Sequence, residues 1–269
     1  MKGYTDKNYL ERDLYHISIG HLDFEFISKE LKEKGYYICD DLIDLELINS
    51  IVEYWKQRFL ILNKHKPATK MVRGNLHLGE KDFDSYTSSH KWNLYRIFEF
   101  YWNPPNSAED KITKEIALDL SRIRNVLAGK PQSHGLNYES NGDGAYLSIS
   151  HYPPVDGFMK FHSDGFLTDE KLYHFMVNLT FKGEDYSEGG LHIVVDNKQI
   201  DVDSLMKPGS VLFYNGAYEH GVKPVKSDTQ LGRIAFFSIP APFFSQKEVP
   251  NFKRLIEKIY SKFYRFLDK

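Results

Sequence analysis

The sequence predicts an α+β domain in which helices flank a sandwich or barrel of short β-strands. In the first half of the chain, apolar residues recur at the three- to four-residue spacing of amphipathic helices. After Gly144, short runs rich in Tyr, Phe, Val and Ile alternate with clusters of Gly, Pro, Asp and Asn, which is typical of all-β folds. Because no linker or low-complexity segment separates the two parts, a single domain over 1–269 is the simplest architecture.

The first half is predicted to hold three helices and one short strand. A helix from about Asp23 to Lys34 ends at Gly35, a residue suited to helix termination. The segment Tyr36 to Cys39 is predicted as a strand. Helical spacing of apolar residues then runs from Ile43 to Phe59 and again from Ala108 to Leu127. This half, 1–144, is therefore expected to be mainly helical support together with a substrate-loop region.

The core of the domain is predicted at 145–240. Its expected strands are the runs 145–152, 158–162, 174–181, 190–195, 210–214, 218–222 and 231–238. Helical spacing returns from Asn251 to Asp268, so a C-terminal helix is expected over 250–269.

Composition excludes several classes of partner. The chain has 35 Lys and Arg against 37 Asp and Glu, a formal net charge of −2, whereas nucleic-acid and membrane-surface binders carry a basic excess. A single cysteine, Cys39, cannot form an internal disulfide, and no apolar stretch reaches the length of a membrane span. We expect a cytoplasmic protein that binds neither nucleic acid nor membranes; the sequence leaves its oligomeric state open.

Residues 64–107 show no clear period but hold many groups able to bind a ligand. Long segments of this kind in a compact domain tend to be functional. Arg73, His77, Trp92 and Arg96 are the candidate substrate contacts, although each on its own is also compatible with a surface charge or a core aromatic residue.

His162-Ser163-Asp164 is the strongest chemical signal in the β half. An imidazole and a carboxylate two residues apart at the end of a strand can chelate one cation, and a second histidine from a distant strand completes the set that holds non-haem Fe(II). His220 is the preferred second histidine, and His192, His151 and His174 are the alternatives. A similar pair, His21 and Asp23, is explained by Asp23 capping a helix.

Arg233 lies within the apolar run 231–237, where a buried guanidinium needs a carboxylate partner. That partner is either an internal Asp or Glu or the distal carboxylate of a bound dicarboxylic acid.

Strand alternation predicts a hydroxyl-lined wall. In the strand that begins at Ala145, one face carries apolar residues and the other carries Tyr146, Ser148, Ser150 and Tyr152. If this wall faces the interior of a barrel, it lines a polar pocket suited to a small acidic cosubstrate; otherwise it is exposed to solvent.

Taken together, these residues resemble the iron(II)- and 2-oxoglutarate-dependent dioxygenases. The resemblance covers roughly residues 145 to 238. It rests on Tyr152 ten residues before His162, the His162-Ser163-Asp164 pair, Gly189-Gly190-Leu191-His192-Ile193, Pro208-Gly209, His220 with Val222 and Pro224, and Gly232-Arg233. The segment from Lys34 to Ile43 is also similar to the N-terminal part of phytanoyl-CoA dioxygenase-like members. The fold implied is a double-stranded β-helix, or jelly roll, with flanking helices.

The resemblance also implies roles for individual residues. His162, Asp164 and His220 would ligate iron, Arg233 would pair with the C5 carboxylate of 2-oxoglutarate, and Tyr152, with Tyr146 of the same wall, would lie near the cosubstrate. Fe(II), 2-oxoglutarate and O2 are the implied cofactors, with succinate and CO2 as products. The gap from His220 to Arg233 is longer than in the prolyl hydroxylase-like pattern.

The expected activity is hydroxylation, or a related oxidation, of a small polar metabolite such as an amino acid, a sugar derivative or a carboxylic acid. Asp164 argues against halogenation, because related halogenases have a small residue in place of that acid. Two alternatives stay open: a hydroxylase of protein or peptide side chains with the same metal site, and a cupin-like metal-binding protein without oxygenase activity.

Overall fold

The structure, a computed structural model, describes residues 10–65, 81–137, 142–164 and 173–242. These ranges contain three α-helices, α1 (Phe24–Lys34), α2 (Leu45–His65) and α3 (Ala108–Leu127), and a 3₁₀ helix (Glu11–Asp13). The strands are β1 (Tyr36–Cys39), β2 (Phe83–Ser88), β3 (Trp92–Phe100), β4 (Asp143–Tyr152), β5 (Val155–His162), β6 (Tyr173–Asn178), β7 (Glu188–Val195), β8 (Lys198–Asp201), β9 (Val211–Asn215), β10 (His220–Lys226) and β11 (Arg233–Pro242).

The strands form one curled antiparallel sheet in the order β1-β9-β6-β11-β4-β3-β5-β10-β7-β8, with β2 on β3. In this order, the strands from β1 to β3 form one part of the sheet, and β5, β10, β7 and β8 form the other. The two parts are joined where β3 pairs with β5, with Trp92 opposite Met159. Chain neighbours such as β5 and β6 lie in different parts of the sheet, which is the strand exchange of a jelly roll. The structure thus confirms the predicted fold class of a jelly-roll core with flanking helices.

Helices α1 and α3 begin and end close to where the sequence predicts, whereas α2 continues six residues beyond the predicted end at Phe59. The Asp23 carboxylate accepts a hydrogen bond from the Phe26 N–H at 3.0 Å, and Gly35 ends α1 in the left-handed conformation with a φ of 79°. Ser107 caps α3 in the same way, through the N–H of Asp110. None of the described helices is both long and apolar enough to cross a membrane.

Two apolar clusters lie on opposite faces of the sheet. The outer cluster packs helix residues such as Trp55 and Leu120 against outward-facing strand residues such as Phe236. The inner cluster fills the barrel with the alternate residues of the same strands, for example Phe98 and Phe237. A strand residue therefore faces either the helices or the barrel interior, and its parity along the strand decides which.

Two features of the structure correct the sequence-based element assignment. Residues 64–107 were expected to lack regular structure, but β2 and β3 form a hairpin there, and the short strand β8 was not predicted. Both faces of β3 are largely buried, so the alternation of polar and apolar residues that signals a half-buried strand is missing. The predicted C-terminal helix at 250–269 lies outside the described residues.

Glu99 is a fully buried acid on the outer face of β3. Burial raises its pKa to about 9, Asp110 adds to the increase, and Lys114, whose Nζ lies 3.8 Å from Oε2, acts in the opposite direction. Both carboxyl oxygens lack a hydrogen-bond partner within the described part of the chain. The folded protein therefore keeps a proton on Glu99 at neutral pH.

This raised pKa predicts a pH-dependent loss of stability that E99Q removes. Between the ordinary value of 4.5 and about 9, the unfolded chain releases a proton that the folded chain retains, so the free energy of unfolding falls as pH rises. The slope is at most about 1.4 kcal/mol per pH unit. In thermal melts from pH 5 to pH 9, the melting temperature should fall more steeply with pH for the wild type than for E99Q. E53Q, a control on the exposed face of α2, should behave as the wild type does. Parallel curves for the wild type and E99Q would contradict the assignment.

Candidate metal centre

The antiparallel register of β5 and β10 brings His162 and His220 side by side. The two residues are directly paired, and their ring centroids are 4.6 Å apart. Asp164 follows two residues after His162, and its N–H donates to the carbonyl of Gly216 at 2.8 Å. One ligand atom from each of His162, Asp164 and His220 lies within 4.8 Å of the others. The structure thus brings together the three residues that the sequence predicts as metal ligands.

Backbone carbonyls orient both imidazoles. Nδ1 of His162 lies 2.9 Å from the carbonyl oxygen of Lys160, and Nδ1 of His220 lies 2.9 Å from that of Tyr218. Because a carbonyl oxygen only accepts, Nδ1 carries the proton and Nε2 presents its lone pair. Such outer hydrogen bonds are typical of metal-ligating histidines.

The electrostatics keep the ligands in their binding forms. Burial lowers the pKa of His220 to about 4, so its imidazole is neutral at physiological pH. Burial alone would raise the pKa of Asp164, but His174 foremost, followed by His220 and His162, holds that pKa below its ordinary value. Two imidazoles and one carboxylate form the nitrogen and oxygen donor set that suits Fe(II). The residues therefore fit the implied metal.

The alternative histidines do not join this set. His192 alternates with Leu191 and Ile193 of the inner cluster and so faces the other side of β7, where its Nδ1 lies 3.0 Å from the carbonyl oxygen of Gly190. His151 lies on the outer face of β4 and contacts the carbonyl of Leu231.

His174 contacts the metal-binding carboxylate without belonging to the three-residue group. Its side chain is fully buried on β6, and its Nε2 lies 3.2 Å from Oδ2 of Asp164. Gly216 permits this contact, because a Cβ at that position would lie 2.1 Å from Nε2 of His174. His174 is thus placed to hold the Asp164 carboxylate in position, a role that the sequence did not predict.

Arg233 has an internal carboxylate partner in the structure. Its Nε and Nη2 donate to Oδ2 and Oδ1 of Asp203 at 2.6 and 3.0 Å, and Nη2 also lies 3.1 Å from Oδ1 of Asn178. Arg233 and Asp203 are both buried, and each charge favours the other, which raises the pKa of Arg233 and lowers that of Asp203 despite burial. The sequence left open whether Arg233 pairs with an internal acid or with a bound dicarboxylic acid, and the structure shows the internal acid. The role of Arg233 toward 2-oxoglutarate stays a prediction.

The hydroxyl wall of β4 faces the interior of the barrel. Tyr146, Ser148, Ser150 and Tyr152 are all buried, and the alternative of solvent exposure does not hold. Tyr152 lies under the guanidinium of Arg233, whose central carbon is 5.4 Å from the ring centroid.

Two of the four candidate substrate residues lie on β3, close to this wall. Arg96 is paired with Ser150, and Trp92 lies where β3 meets β5. Arg73 and His77 lie outside the described residues.

Asp203 is the main residue of the site region that the sequence left unidentified. The need for an acid beside Arg233 was predicted, but its position after β8 was not. Gly189-Gly190 held a usable signal. Gly190 has a φ of 95°, and a Cβ there would lie 2.3 Å from Oδ2 of Asp203, so the glycine makes room for the buried carboxylate.

The geometry predicts which histidines bind iron. H162A and H220A should weaken Fe(II) binding by more than the roughly 10- to 100-fold that loss of an outer partner costs, because each removes a ligand. H192A should leave the affinity unchanged. Anaerobic titration with Fe(II) measures this, with the thermal melt as a folding control. Loss of iron in H192A, and not in H220A, would reassign the ligand.

Comparison with known proteins gives a result for the fold and none for the sequence. No family model matches the sequence, and no curated protein matches it. A Pseudomonas putida prolyl-4-hydroxylase superposes with a TM-score of 0.54 at 12% identity, over 82% of this chain and 99% of that one. The α-ketoglutarate-dependent epimerase SnoN of nogalamycin biosynthesis gives 0.53 at 11% identity, over 84% and 87%.

A Shewanella oneidensis protein provisionally assigned as an oxygenase gives a TM-score of 0.56 at 18% identity, over 92% of this chain and 98% of that one. At these identities the similarity establishes the fold and leaves the activity to other arguments. The chain has the fold of the iron(II)- and 2-oxoglutarate-dependent oxygenases.

Proposed function

We propose that this protein is an iron(II)- and 2-oxoglutarate-dependent oxygenase that hydroxylates, or otherwise oxidises, a C–H bond of a small polar metabolite. An amino acid, a sugar derivative or another carboxylic acid is the class of substrate that the polar barrel interior favours. The near-neutral charge of the chain supports an enzyme that binds neither nucleic acid nor membranes, and its single cysteine supports a cytoplasmic location.

The observation that carries the proposal is the convergence of His162, Asp164 and His220 within 4.8 Å, with both imidazoles oriented by backbone carbonyls. Charged and polar groups at such density are costly to desolvate, and a metal ion compensates that cost. The same fold in the prolyl-4-hydroxylase and in SnoN supports assigning iron and 2-oxoglutarate chemistry to this set.

Some side chains would hold the metal, and others would shape its surroundings. When bound, iron with 2-oxoglutarate and O2 supplies the oxidation of the substrate and the release of succinate and CO2. His162, Asp164 and His220 hold the ion, and His174 keeps the carboxylate of Asp164 aligned. Tyr214 of the inner cluster, whose ring centroid lies 5.3 Å from that of His220, shields this side of the site from water.

Asp164 favours oxidation over halogenation, because its carboxylate occupies the position that a halide needs on the metal. Hydroxylation is the simplest outcome, yet SnoN is an epimerase with the same fold. The outcome for this chain is therefore proposed as hydroxylation or a related oxidation.

A peptide side-chain hydroxylase is the second candidate. One observation favours it: the side chain of His162 is 36% exposed, so the metal site lies near the surface and an extended segment can reach it. A cupin-like metal protein without oxygenase activity is the remaining alternative and would share the barrel. Arg233 does not distinguish it from an oxygenase, because the pair with Asp203 gives that arginine a structural role.

Anaerobic spectroscopy separates the oxygenase from the metal-binding protein. Addition of Fe(II) and 2-oxoglutarate to the wild type should produce the visible charge-transfer band of the chelate. H162A should lose the band because it loses the metal, whereas H192A should keep it. Folded wild-type protein that binds Fe(II) without forming the band would refute the oxygenase proposal. In air, succinate formation then reports turnover while metabolites and peptides are screened.

A further inference from the structure

We propose that Arg96, together with the hydroxyls of Ser85 and Ser150, forms a carboxylate-binding site on the inner face of the barrel. The inference rests on the proposed function in one respect: the bound carboxylate belongs to a molecule positioned for reaction at the triad. The ligand class is a carboxylic acid, either the cosubstrate through its distal carboxylate or a carboxylate-bearing substrate.

Strand register places the three residues in one row. Arg96 of β3 is directly paired with Ser85 of β2 on one side and with Ser150 of β4 on the other. Directly paired residues of neighbouring strands project from the same face of a sheet. That face is the interior. Phe98, two residues after Arg96, and Tyr146, four residues before Ser150, project from the same face as those residues and belong to the inner cluster. A cation thus lies between two hydroxyl groups on the inner wall.

Two polar atoms of this row lack partners. Nε of Arg96 and Oγ of Ser85 are buried without a hydrogen bond within the described residues, whereas Oγ of Ser150 lies 3.3 Å from Oγ of Ser148. Nη2 of Arg96 donates to Sδ of Met159 at 3.1 Å, and a thioether is a weak acceptor. Buried donors without acceptors are rare in folded proteins, so this row can bind an acceptor that the described residues do not supply.

Several of the described arginines have carboxylate partners, whereas Arg124 bonds to Asn125 and Ser238. Arg58 lies 3.7 Å from Asp84, and Arg122 lies 3.5 Å from Asp119. In the part of the chain that the structure describes, Arg96 forms no ion pair. Its guanidinium carbon instead lies 6.0 and 5.9 Å from the ring centroids of Phe98 and Phe237, which fix the plane of the fork without neutralising its charge.

Met159 links this row to the metal centre. It lies on β5, three residues before His162, and its Sδ accepts the hydrogen bond from Nη2 of Arg96 at 3.1 Å. Arg96 therefore contacts the strand that carries the first candidate ligand. The cavity lined by Ser85, Thr87, Trp92, Leu94 and Arg96 has about 10 Å³ of free volume, room for one water molecule or one carboxylate oxygen.

Arg233 is less suited to this task. Both oxygens of Asp203 occupy its fork, and Asn178 takes a further bond of Nη2. A carboxylate that displaced Asp203 would leave a buried acid without its partner, and one that joined it would face a like charge. Arg96 and Arg233 are the described arginines on the inner face, and the charge of Arg96 is the one available to a ligand.

Equilibrium dialysis of iron-free protein with radiolabelled succinate tests the site. Succinate carries carboxylates but lacks the 2-oxo group that chelates iron, so its binding does not depend on the metal. R96Q should raise the succinate Kd at least about 10-fold, the effect of losing a charge-assisted hydrogen bond. R96K, which keeps the charge but loses the fork, should give a smaller increase. R122Q, on the outer helix α3, should bind as the wild type does.

Unchanged succinate affinity in R96Q, or no saturable binding by the wild type, would overturn the proposal. Thermal melts and Fe(II) affinity, which the change at Arg96 should leave intact, check that R96Q is folded. If R96Q fails to fold, R96K carries the test, and wild-type affinity in R96K with no effect of S85A would overturn the proposal.

A second comparison identifies the source of the carboxylate. Pyruvate and 2-oxoglutarate chelate iron through the same 2-oxo acid group, but only 2-oxoglutarate has a distal carboxylate. If R96Q reduces the anaerobic preference for 2-oxoglutarate over pyruvate about 10-fold, Arg96 holds the cosubstrate. If that preference is retained in R96Q while its succinate affinity falls, Arg96 holds a substrate carboxylate. Failure of the oxygenase proposal would give a different result: the wild type would show no chelate band, while succinate binding to the iron-free protein could still be measured.

Discussion

The register between β5 and β10 is the constraint on which the metal centre depends. It pairs His162 with His220, so two imidazoles from strands 58 residues apart in the chain share one face of the barrel. A slip of one residue would turn either imidazole to the opposite face, because side chains alternate along a strand. The third ligand follows from the same arrangement: the N–H of Asp164 is bound by the carbonyl of Gly216 in the turn that leads to β10. The triad is thus a consequence of backbone pairing, and no long side chain has to adopt an unusual conformation.

Two arginines on the inner face of the barrel have opposite electrostatic roles. Arg233 and Asp203 neutralise one another in a fully buried pair, which fixes β11 to the segment after β8. Removing either partner would leave an uncompensated buried charge, a strongly destabilising change. Arg96 keeps its charge available beside Ser150. Among the described residues of the interior, one cation therefore serves the fold and another is available to select an anionic ligand.

Sequence alone was sufficient where the signal is local. The caps at Asp23 and Gly35 defined α1, and the His162–Asp164 pair is only two residues apart. It was insufficient where distant segments meet. The β2–β3 hairpin was missed because both faces of β3 are largely buried, which removes the polar alternation of a half-buried strand. Asp203 and the contact of His174 with Asp164 depend on how strands cross the barrel, which residue spacing does not encode. The convergence of the three candidate ligands was thus predictable, and the neighbours His174 and Asp203 were not.

The central claim is that one iron ion is bound by the three residues that the register brings together. The most direct measurement is an anomalous difference map at the iron edge from crystals grown anaerobically with Fe(II). We predict a single strong peak at bonding distance from Nε2 of His162, Nε2 of His220 and a carboxylate oxygen of Asp164. A peak beside His192 and Asp201, or none at the triad in iron-loaded protein, would contradict the account.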